Sequence, residues 1–254
     1  MGEIVVLGSG AALTDENHKH THLFFREGKA GLLVDCGSDP VIHLPKAGIE
    51  INSITDILFT HFHPDHISGA PLLLMDMWLL GRTEPLHLYG LTHTLDCLEA
   101  LMDMYSWRKW PDFYPVHFHR LPEEPLTRMM ENDAFRVFTS PVKHMVPTVG
   151  VRVEFLADST VAAYSCDTEP CPQVVQLAAG ADVLLHESFG EGVGHSSSAQ
   201  AAEIAAEAGA KKLYLIHYDS LAGKEAQAAM IADAEAVFSG EVSLAQDLMV
   251  ILPG

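Results

Sequence analysis

The chain has 254 residues, of which 48% are apolar, so it can bury a sizeable core and intrinsic disorder is not expected. The formal net charge is −19, and an acidic field opposes the phosphate contacts that hold duplex DNA or long RNA. No segment approaches the ~18 consecutive apolar residues that a membrane span needs, so a membrane protein is not expected.

The first part of the chain predicts strands followed by alternating strands and helices. Strands are predicted at Ile4–Leu7, Thr21–Arg26, Gly31–Asp35, Ile57–Thr60 and Leu86–Tyr89. Helical spacing is found at Ala70–Leu80, which Gly81 closes, and at Thr92–Tyr105. The segment Trp107–Pro125 is rich in aromatic residues and proline, and it predicts an irregular loop, a substrate lid or a dimer face.

The second part repeats this alternation without repeating the sequence. Strands are predicted at Phe135–Thr139, Gly150–Phe155, Val161–Ser165, Val183–Leu185, Leu213–Ile216 and Leu248–Leu252. Helices are predicted at Gln173–Ala178, Ser197–Ala208 and Lys224–Phe238. Ser197 and Gln200 form a capping box, and Gly209 ends that helix. Without a linker or tandem repeat, residues 1–254 are expected to form a single domain of two facing sheets with helices outside.

Cysteine usage and the start of the sequence bear on the compartment. The four cysteines, Cys36, Cys97, Cys166 and Cys171, lack paired spacing and indicate reduced thiols. Met1–Leu7 has no basic segment and runs directly into a strand pattern, which does not resemble a signal peptide. A cytoplasmic protein is therefore expected.

The segment Thr60–His66 carries the strongest chemical signal. Three histidines and one aspartate, at positions 61, 63, 65 and 66, follow directly on a predicted strand. Neutral imidazole and carboxylate are the groups that zinc, iron and manganese accept at neutral pH. Four donors on one short loop can serve two metal ions, which then need further ligands from elsewhere. His144, Asp167 and His217 each follow an apolar strand and are candidates.

Two other polar patterns carry a weaker functional signal than Thr60–His66. Gly8-Ser9-Gly10 lacks the rest of a dinucleotide-binding fingerprint, so it is expected to shape the floor of a site. His18, His20 and His22 alternate on a strand and are expected to form a solvated edge.

The chain resembles the metallo-β-lactamase superfamily, and within it the ribonuclease Z group. The matching pieces, in the family's order, are Leu33–Gly37, Thr60–His66, Gly81–Thr83, Pro141–His144, Cys166–Thr168, His186–Ser188 and Gly194–Ser197. The resemblance implies a four-layer αββα sandwich of the α/β class. It also implies a homodimer and two divalent metal ions per chain, most simply Zn²⁺, with Mn²⁺ or iron possible in the same ligand set.

The resemblance also implies roles for individual residues. One metal is expected on His61, His63 and His144, the second on Asp65, His66 and His217, and Asp167 is expected to bridge them. Such a pair clamps a hydroxide and neutralises a phosphoryl transition state, and Asp65 would orient the attacking group. His195 is expected to act as the general acid, with Glu187 as its orienting carboxylate.

The sequence departs from ribonuclease Z in one respect that bears on the substrate. The family's long basic arm has no counterpart here, since Val151–Phe155 is followed almost at once by Ser159–Asp167. The expected function is therefore a phosphodiesterase acting on a small or medium substrate, such as a cyclic nucleotide or nucleotide-like diester. Alternatives are a tRNA 3′-processing endonuclease, an arylsulfatase- or lactonase-type hydrolase, and a member that binds a ligand without turnover.

Overall fold

Two seven-stranded sheets organise the chain in a computed structural model that describes residues 1–254. The first sheet has the spatial order β14 (Val250–Ile251), β1 (Glu3–Gly8), β2 (His22–Glu27), β3 (Ala30–Val34), β4 (Asp56–Leu58), β5 (Leu86–Leu91) and β6 (Val116–Leu121). The second has the order β13 (Glu241–Leu244), β12 (Lys212–Ile216), β11 (Val183–Glu187), β10 (Val161–Tyr164), β9 (Thr148–Phe155), β8 (Phe135–Val142) and β7 (Thr127–Glu131).

There are seven α-helices, and all but the second of them, a single turn in the loop after β4, cover the outer faces of the sheets. They are α1 (Pro40–Lys46), α2 (Pro64–Ile67), α3 (Ala70–Leu79), α4 (Thr92–Met104), α5 (Pro172–Leu177), α6 (Ser198–Ala208) and α7 (Gly223–Glu235). Single 3₁₀ turns occur at Ile51–Ser53, Trp107–Lys109 and Ser220–Ala222. None of the seven α-helices has the length and apolar character that crossing a membrane requires.

Buried side chains alternate between the two faces of each sheet, and this alternation produces the layers of the fold. In β1, Val6 belongs to a cluster of 24 buried residues between the two sheets, whereas Leu7 belongs to a second cluster beneath α1, α3 and α4. A third cluster lies between the second sheet and α5, α6 and α7. Because successive side chains of a strand point to opposite faces, each sheet contacts both the central core and its own helices. This arrangement is the αββα sandwich that the sequence predicted.

Each sheet is half antiparallel and half parallel. Strands β3 to β6 run parallel in the first sheet, and β10 to β13 run parallel in the second. Parallel strands end at a common edge, so the loops that follow them are brought together. The predicted ligands lie in such loops, with the exception of His144, which follows antiparallel β8.

Two sequence-based expectations were wrong. The segment Trp107–Pro125 is not irregular throughout, because it contains β6, which pairs with β5 at the edge of the first sheet. The expected solvated edge at His18–His22 is only partly solvated: His22 is fully buried, and its Nδ1 donates to the carbonyl of His20 at 2.7 Å. A backbone acceptor thus satisfies one nitrogen of that imidazole, whereas its Nε2 has no partner within the protein.

Helix α6 begins with the capping box that the sequence predicted. The Ser197 hydroxyl accepts from the Gln200 backbone N–H, and the Gln200 side chain accepts from that of Ser197. We expect Ser197→Ala to lower the free energy of unfolding by about 1 kcal/mol, because the backbone N–H of Gln200 loses its acceptor. Urea unfolding measures this, with Glu203→Ala, at an exposed position of α6, as the control. Equal midpoints for both variants would contradict the prediction.

Candidate metal centre

The loop after β4 supplies four of the seven predicted ligands. His61 and His66 are fully buried, whereas His63 and Asp65 are partly exposed. Pro64 begins the single-turn helix α2, which fixes the direction of the chain between His63 and His66. The loop therefore presents two histidines in the floor of the site and two donors nearer the solvent.

Loops that follow strands of the second sheet supply the other three predicted ligands. His144 follows β8, Asp167 follows β10 and His217 follows β12. Asp167 and His217 are almost completely buried, each with 2% exposure. All seven predicted residues therefore meet between the two sheets, although they are spread over more than 150 positions of sequence.

The donor atoms form two groups that share one carboxylate. In the first group, Nδ1 of His63 lies 3.1 Å from Nε2 of both His61 and His144. Oδ2 of Asp167 lies 4.0 Å from Nε2 of His61 and 3.9 Å from that of His144. These four residues can hold a single metal ion.

The second group lies on the other side of Asp167. Nε2 of His217 is 3.4 Å from Oδ2 of both Asp65 and Asp167. Nε2 of His66 is 3.6 Å from Oδ2 of Asp65 and 3.4 Å from Oδ1 of Asp167. These four residues can hold a second ion, so Asp167 is common to both groups, as the bridging role requires.

Buried atoms without partners mark the centre of the cluster. Nε2 of His66 and Oδ1 of Asp167 have no hydrogen-bond partner within the protein. An unpaired buried polar atom is costly, and a cation between the two groups would remove that cost. Burial opposes ionisation of Asp167, but His217 and His66 outweigh it and hold the pKa of Asp167 well below its ordinary value. Burial also lowers the pKa of His61, which favours the neutral imidazole that binds metals.

Hydrogen bonds from a surrounding layer orient the cluster, and the sequence had not indicated their roles. Asp35 Oδ2 accepts from Nδ1 of His66 at 2.8 Å, and the same carboxylate accepts from the backbone N–H and hydroxyl of Thr60. Nδ1 of His144 donates to the carbonyl of Gly194 at 2.7 Å. Each bond leaves Nε2 directed at the cluster, which is how outer partners fix the tautomer of a metal-binding histidine.

Three residues at these strand ends have strained backbone conformations. Asp35, Cys166 and His217 have φ values of 64°, 56° and 53°, in the left-handed region that non-glycine residues seldom adopt. Such conformations cost of order 1–3 kcal/mol each and persist where the surrounding structure requires them. At His217 the constraint is visible, since its backbone N–H donates to the carbonyl of Ser9 at 2.9 Å. The turn at Gly8–Gly10 therefore supports the floor of the site, as expected.

His195 and Glu187 lie together beside the cluster. Nδ1 of His195 is 3.5 Å from Oε1 of the fully buried Glu187. That carboxylate also accepts backbone N–H groups, from Ser196 at 2.6 Å and Phe189 at 3.0 Å. Burial lowers the pKa of His195, but the carboxylate of Glu187 outweighs burial and raises it above its ordinary value. The ring of His195 stacks on that of His217, with centroids 5.7 Å apart, so this imidazole adjoins the cluster.

Cys166 lies next to the first donor group and, with His61 and His66, forms a further buried group that could hold a metal ion. The Cys166 sulfur lies 3.6 Å from Nδ1 of His61, the nitrogen that faces away from the other ligands. Burial raises the pKa of this thiol well above its ordinary value, so it stays protonated. All four cysteines are free thiols, in agreement with the sequence-based expectation.

Comparisons with known proteins agree with this geometry. The structure of the metallo-β-lactamase fold protein YhfI from Bacillus subtilis superimposes with a TM-score of 0.80 at 23% identity, covering 98% of both chains. Human tRNase Z, short form, superimposes with a TM-score of 0.77 at 24% identity, covering 99% of both chains. Ribonuclease Z of Mycobacterium sp. (strain KMS) is 30% identical over 275 residues, covering 98% of this chain and 95% of that protein.

The fold and these relatives define the class: the chain is a metal-dependent hydrolase of the metallo-β-lactamase superfamily, similar to ribonuclease Z, and a phosphoesterase. More specifically, it belongs to the family described as anti-Pycsar protein Apyc1, whose model matches residues 2–238.

Proposed function

We propose that this phosphoesterase is a two-metal phosphodiesterase acting on cyclic nucleotides or nucleotide-like diesters of similar size. The observation that carries the proposal is the pair of four-residue donor groups sharing Asp167, with His195 immediately beside them. A shared carboxylate suits two ions rather than one, and an adjacent protonated imidazole suits departure of an alkoxide.

The donor set fits two divalent ions. Five imidazoles and two carboxylates suit Zn²⁺, which we propose as the native metal, and they also suit Mn²⁺ or iron. The first ion would lie on His61, His63 and His144, the second on Asp65, His66 and His217, with Asp167 between them. When bound, such ions activate water and neutralise the charge that develops on the phosphoryl oxygens.

The residues around the ions supply positioning and proton transfer. Asp65 is partly exposed at the mouth of the cluster, where its carboxylate can also orient the attacking water. Oε1 of Glu187 lies 3.5 Å from Nδ1 of His195, so we assign Nε2 as the nitrogen that protonates the leaving oxygen. The raised pKa of His195 keeps that proton available near neutral pH.

Features at the rim support a small substrate with an aromatic base. Phe189 is 43% exposed, and its ring centroid lies 5.0 Å from that of His195. The backbone N–H of Phe189 donates to Glu187, which fixes the backbone of Phe189 close to His195. Only residues 156–160 separate β9 from β10, and the net charge of −19 disfavours a long polyanion.

We expect Phe189→Ala to raise KM for a cyclic nucleotide by about tenfold, because a base–aromatic stack contributes roughly 1–3 kcal/mol. Steady-state kinetics measure the effect. Val193→Ala, on the same loop and 77% exposed, is the matched control and should leave KM unchanged. An unaltered KM in Phe189→Ala would show that the ring does not contact the substrate.

Asp35→Asn tests the orientation of the second metal group. We expect metal affinity to fall by about 10–100-fold, because the amide no longer fixes Nδ1 of His66 as a carboxylate does. Competition with a chelator measures the loss, and Asp39→Asn, at an exposed position nearby, is the control. Equal metal affinities in both variants would show that Asp35 does not orient His66 for metal binding.

The reaction class is tested by a panel of cyclic nucleotides, linear diesters, aryl sulfates and lactones, with products followed by ³¹P NMR for the phosphates. We expect opening of a cyclic phosphate to a monoester. Turnover restricted to sulfate or carboxylic esters would contradict the proposal and favour an arylsulfatase- or lactonase-type enzyme. Full metal occupancy without hydrolysis of any ester would indicate a ligand-binding protein.

A tRNA 3′-processing endonuclease is the second candidate, and the 30% identity to Ribonuclease Z over 98% of the chain favours it. Salt-sensitive binding of a tRNA precursor, followed by cleavage, would support this candidate; lack of binding at low salt would contradict it.

We further propose a cytoplasmic homodimer in which residues 1–254 form one folding unit. Light scattering tests the assembly, and cooperative unfolding tests the single unit.

A further inference from the structure

The loop that carries His195 connects β11 to α6 and spans residues 188–197; we call it the His195 loop. Both of its ends are fixed to neighbouring strands. The backbone N–H groups of Phe189 and Ser196 donate to the carboxylate of Glu187, at 3.0 Å and 2.6 Å. The hydroxyl of Ser196 donates to the carbonyl of Thr168 at 2.6 Å. The two ends of the loop are therefore anchored independently of its tip.

Two hydrogen bonds inside the loop shape its tip but do not attach it to other elements. The backbone N–H of Gly190 donates to the carbonyl of Ser196 at 3.1 Å, and that of His195 donates to the carbonyl of Gly192 at 3.3 Å. Attachment of the tip to the rest of the molecule therefore depends on the bonds that Gly194 makes.

Gly194 is bonded to two groups outside the loop. Its N–H donates to Oε1 of Glu169 at 3.1 Å, and its carbonyl accepts from Nδ1 of His144 at 2.7 Å. Its φ is 81°, and a β-carbon at this position would lie 2.6 Å from Nδ1 of His144. No side chain fits there, so the loop packs against the proposed metal centre through its backbone.

Glu169 is itself held by the segment that carries His144. Its backbone N–H donates to the carbonyl of Lys143 at 2.8 Å, and its Oε2 pairs with the ammonium group of Lys143. The remaining oxygen, Oε1, is thereby directed at the N–H of Gly194. One carboxylate therefore joins the His195 loop to two segments that carry proposed metal ligands.

The position of the His195 side chain depends on this backbone. Nδ1 of His195 lies 3.5 Å from Oε1 of Glu187, which is longer than an ordinary hydrogen bond, and this nitrogen has no hydrogen-bond partner within the protein. A shift of the loop would therefore carry the imidazole away from the leaving oxygen. Misplacement by about 1 Å can lower a rate roughly 10²-fold.

We propose that Glu169 is a positioning residue for the proposed reaction: it fixes the Gly194 peptide and so keeps His195 beside the metal centre. The inference rests on the proposed function, in which His195 protonates the leaving oxygen. Glu169 belongs to neither four-residue group that shares Asp167, so its removal deletes no proposed ligand. An exposed ion pair such as Lys143–Glu169 contributes little to stability, so the fold should survive its loss.

Kinetics of three variants test this role. We expect Glu169→Ala to lower kcat for a cyclic nucleotide by about 10–100-fold with little change in KM, because His195 is misplaced. Bis-p-nitrophenyl phosphate, whose leaving group needs no proton, should be affected much less. Glu169→Gln keeps an oxygen that can accept from Gly194 and should remain close to wild type. Glu191→Ala, which removes an exposed carboxylate from the same loop, is the matched control.

A double variant separates positioning of His195 from a general structural effect. In the His195→Ala background, Glu169→Ala should cause no further loss of cyclic nucleotide turnover, because the group that it positions is already absent. Rates are compared at equal metal occupancy, measured on the same samples. A further loss equal to that caused by Glu169→Ala alone would overturn the proposal.

Amide hydrogen exchange of the metal-loaded protein measures the loop directly and does not require turnover. The N–H of Gly194 should exchange faster in Glu169→Ala than in wild type, Glu169→Gln or Glu191→Ala. Unchanged exchange in Glu169→Ala would overturn the proposal. If wild type hydrolysed no diester, the proposed function would fail, whereas exchange would still decide whether Glu169 holds the loop.

Discussion

Replacing His195 with alanine is expected to lower turnover of a cyclic nucleotide by about 10²–10⁴-fold while leaving the metal content unchanged. The ring adjoins the ligand cluster without belonging to either four-residue group that includes Asp167, and Glu187 raises its pKa. Its removal therefore deletes a proton donor and no proposed metal ligand. Steady-state kinetics and metal analysis of one preparation measure both quantities.

The leaving group supplies an internal control for this variant. A ribose alkoxide needs a proton as it departs, whereas p-nitrophenolate is a good leaving group without one. His195→Ala should therefore impair hydrolysis of bis-p-nitrophenyl phosphate much less than that of a cyclic nucleotide. An equal loss on both substrates, or loss of metal, would contradict the role as general acid.

Asp65→Ala is expected to damage both metal retention and rate. Its carboxylate lies within 3.6 Å of Nε2 of His66 and 3.4 Å of Nε2 of His217, in the second donor group. These histidines also hold the pKa of Asp65 below its ordinary value, although burial opposes ionisation. Loss of a ligand should reduce metal affinity by more than the about 10–100-fold that loss of an outer partner costs.

Asp233→Ala is the matched control for Asp65→Ala, because it removes an exposed carboxylate from α7, a helix that carries none of the ligands. That variant should keep wild-type rate and metal content. Near-normal turnover with two retained metal ions in Asp65→Ala would show that Asp65 is not a ligand of the second metal ion.

The sequence predicted those features that depend on local pattern. The capping box at Ser197 and the cluster of donors at His61–His66 are both local, and the structure agrees with them. Strand ends were less exact: β4 ends at Leu58 instead of Thr60, and β8 continues to Val142. The seven proposed ligands were grouped by family resemblance, and the structure brings the same residues into two groups around Asp167. Their roles as ligands remain predictions until metal is measured.

Features that depend on pairing between distant segments were missed. The exposed histidines of β6 weaken its apolar pattern, and the strand is defined by its pairing with β5. His22 was expected at a solvated edge, but burial between elements depends on what packs over a strand, which alternation alone does not reveal. The long-range bonds from Asp35 to His66 and from Gly194 to His144 likewise leave no local signal.

The central claim is that two metal ions act together on a phosphodiester. Turnover of bis-p-nitrophenyl phosphate, with metal analysis of the same purified sample, tests it most directly. The account predicts hydrolysis with close to two metal ions per chain, and loss of both on chelation with recovery on adding Zn²⁺. Hydrolysis that persists after complete removal of metal would contradict it.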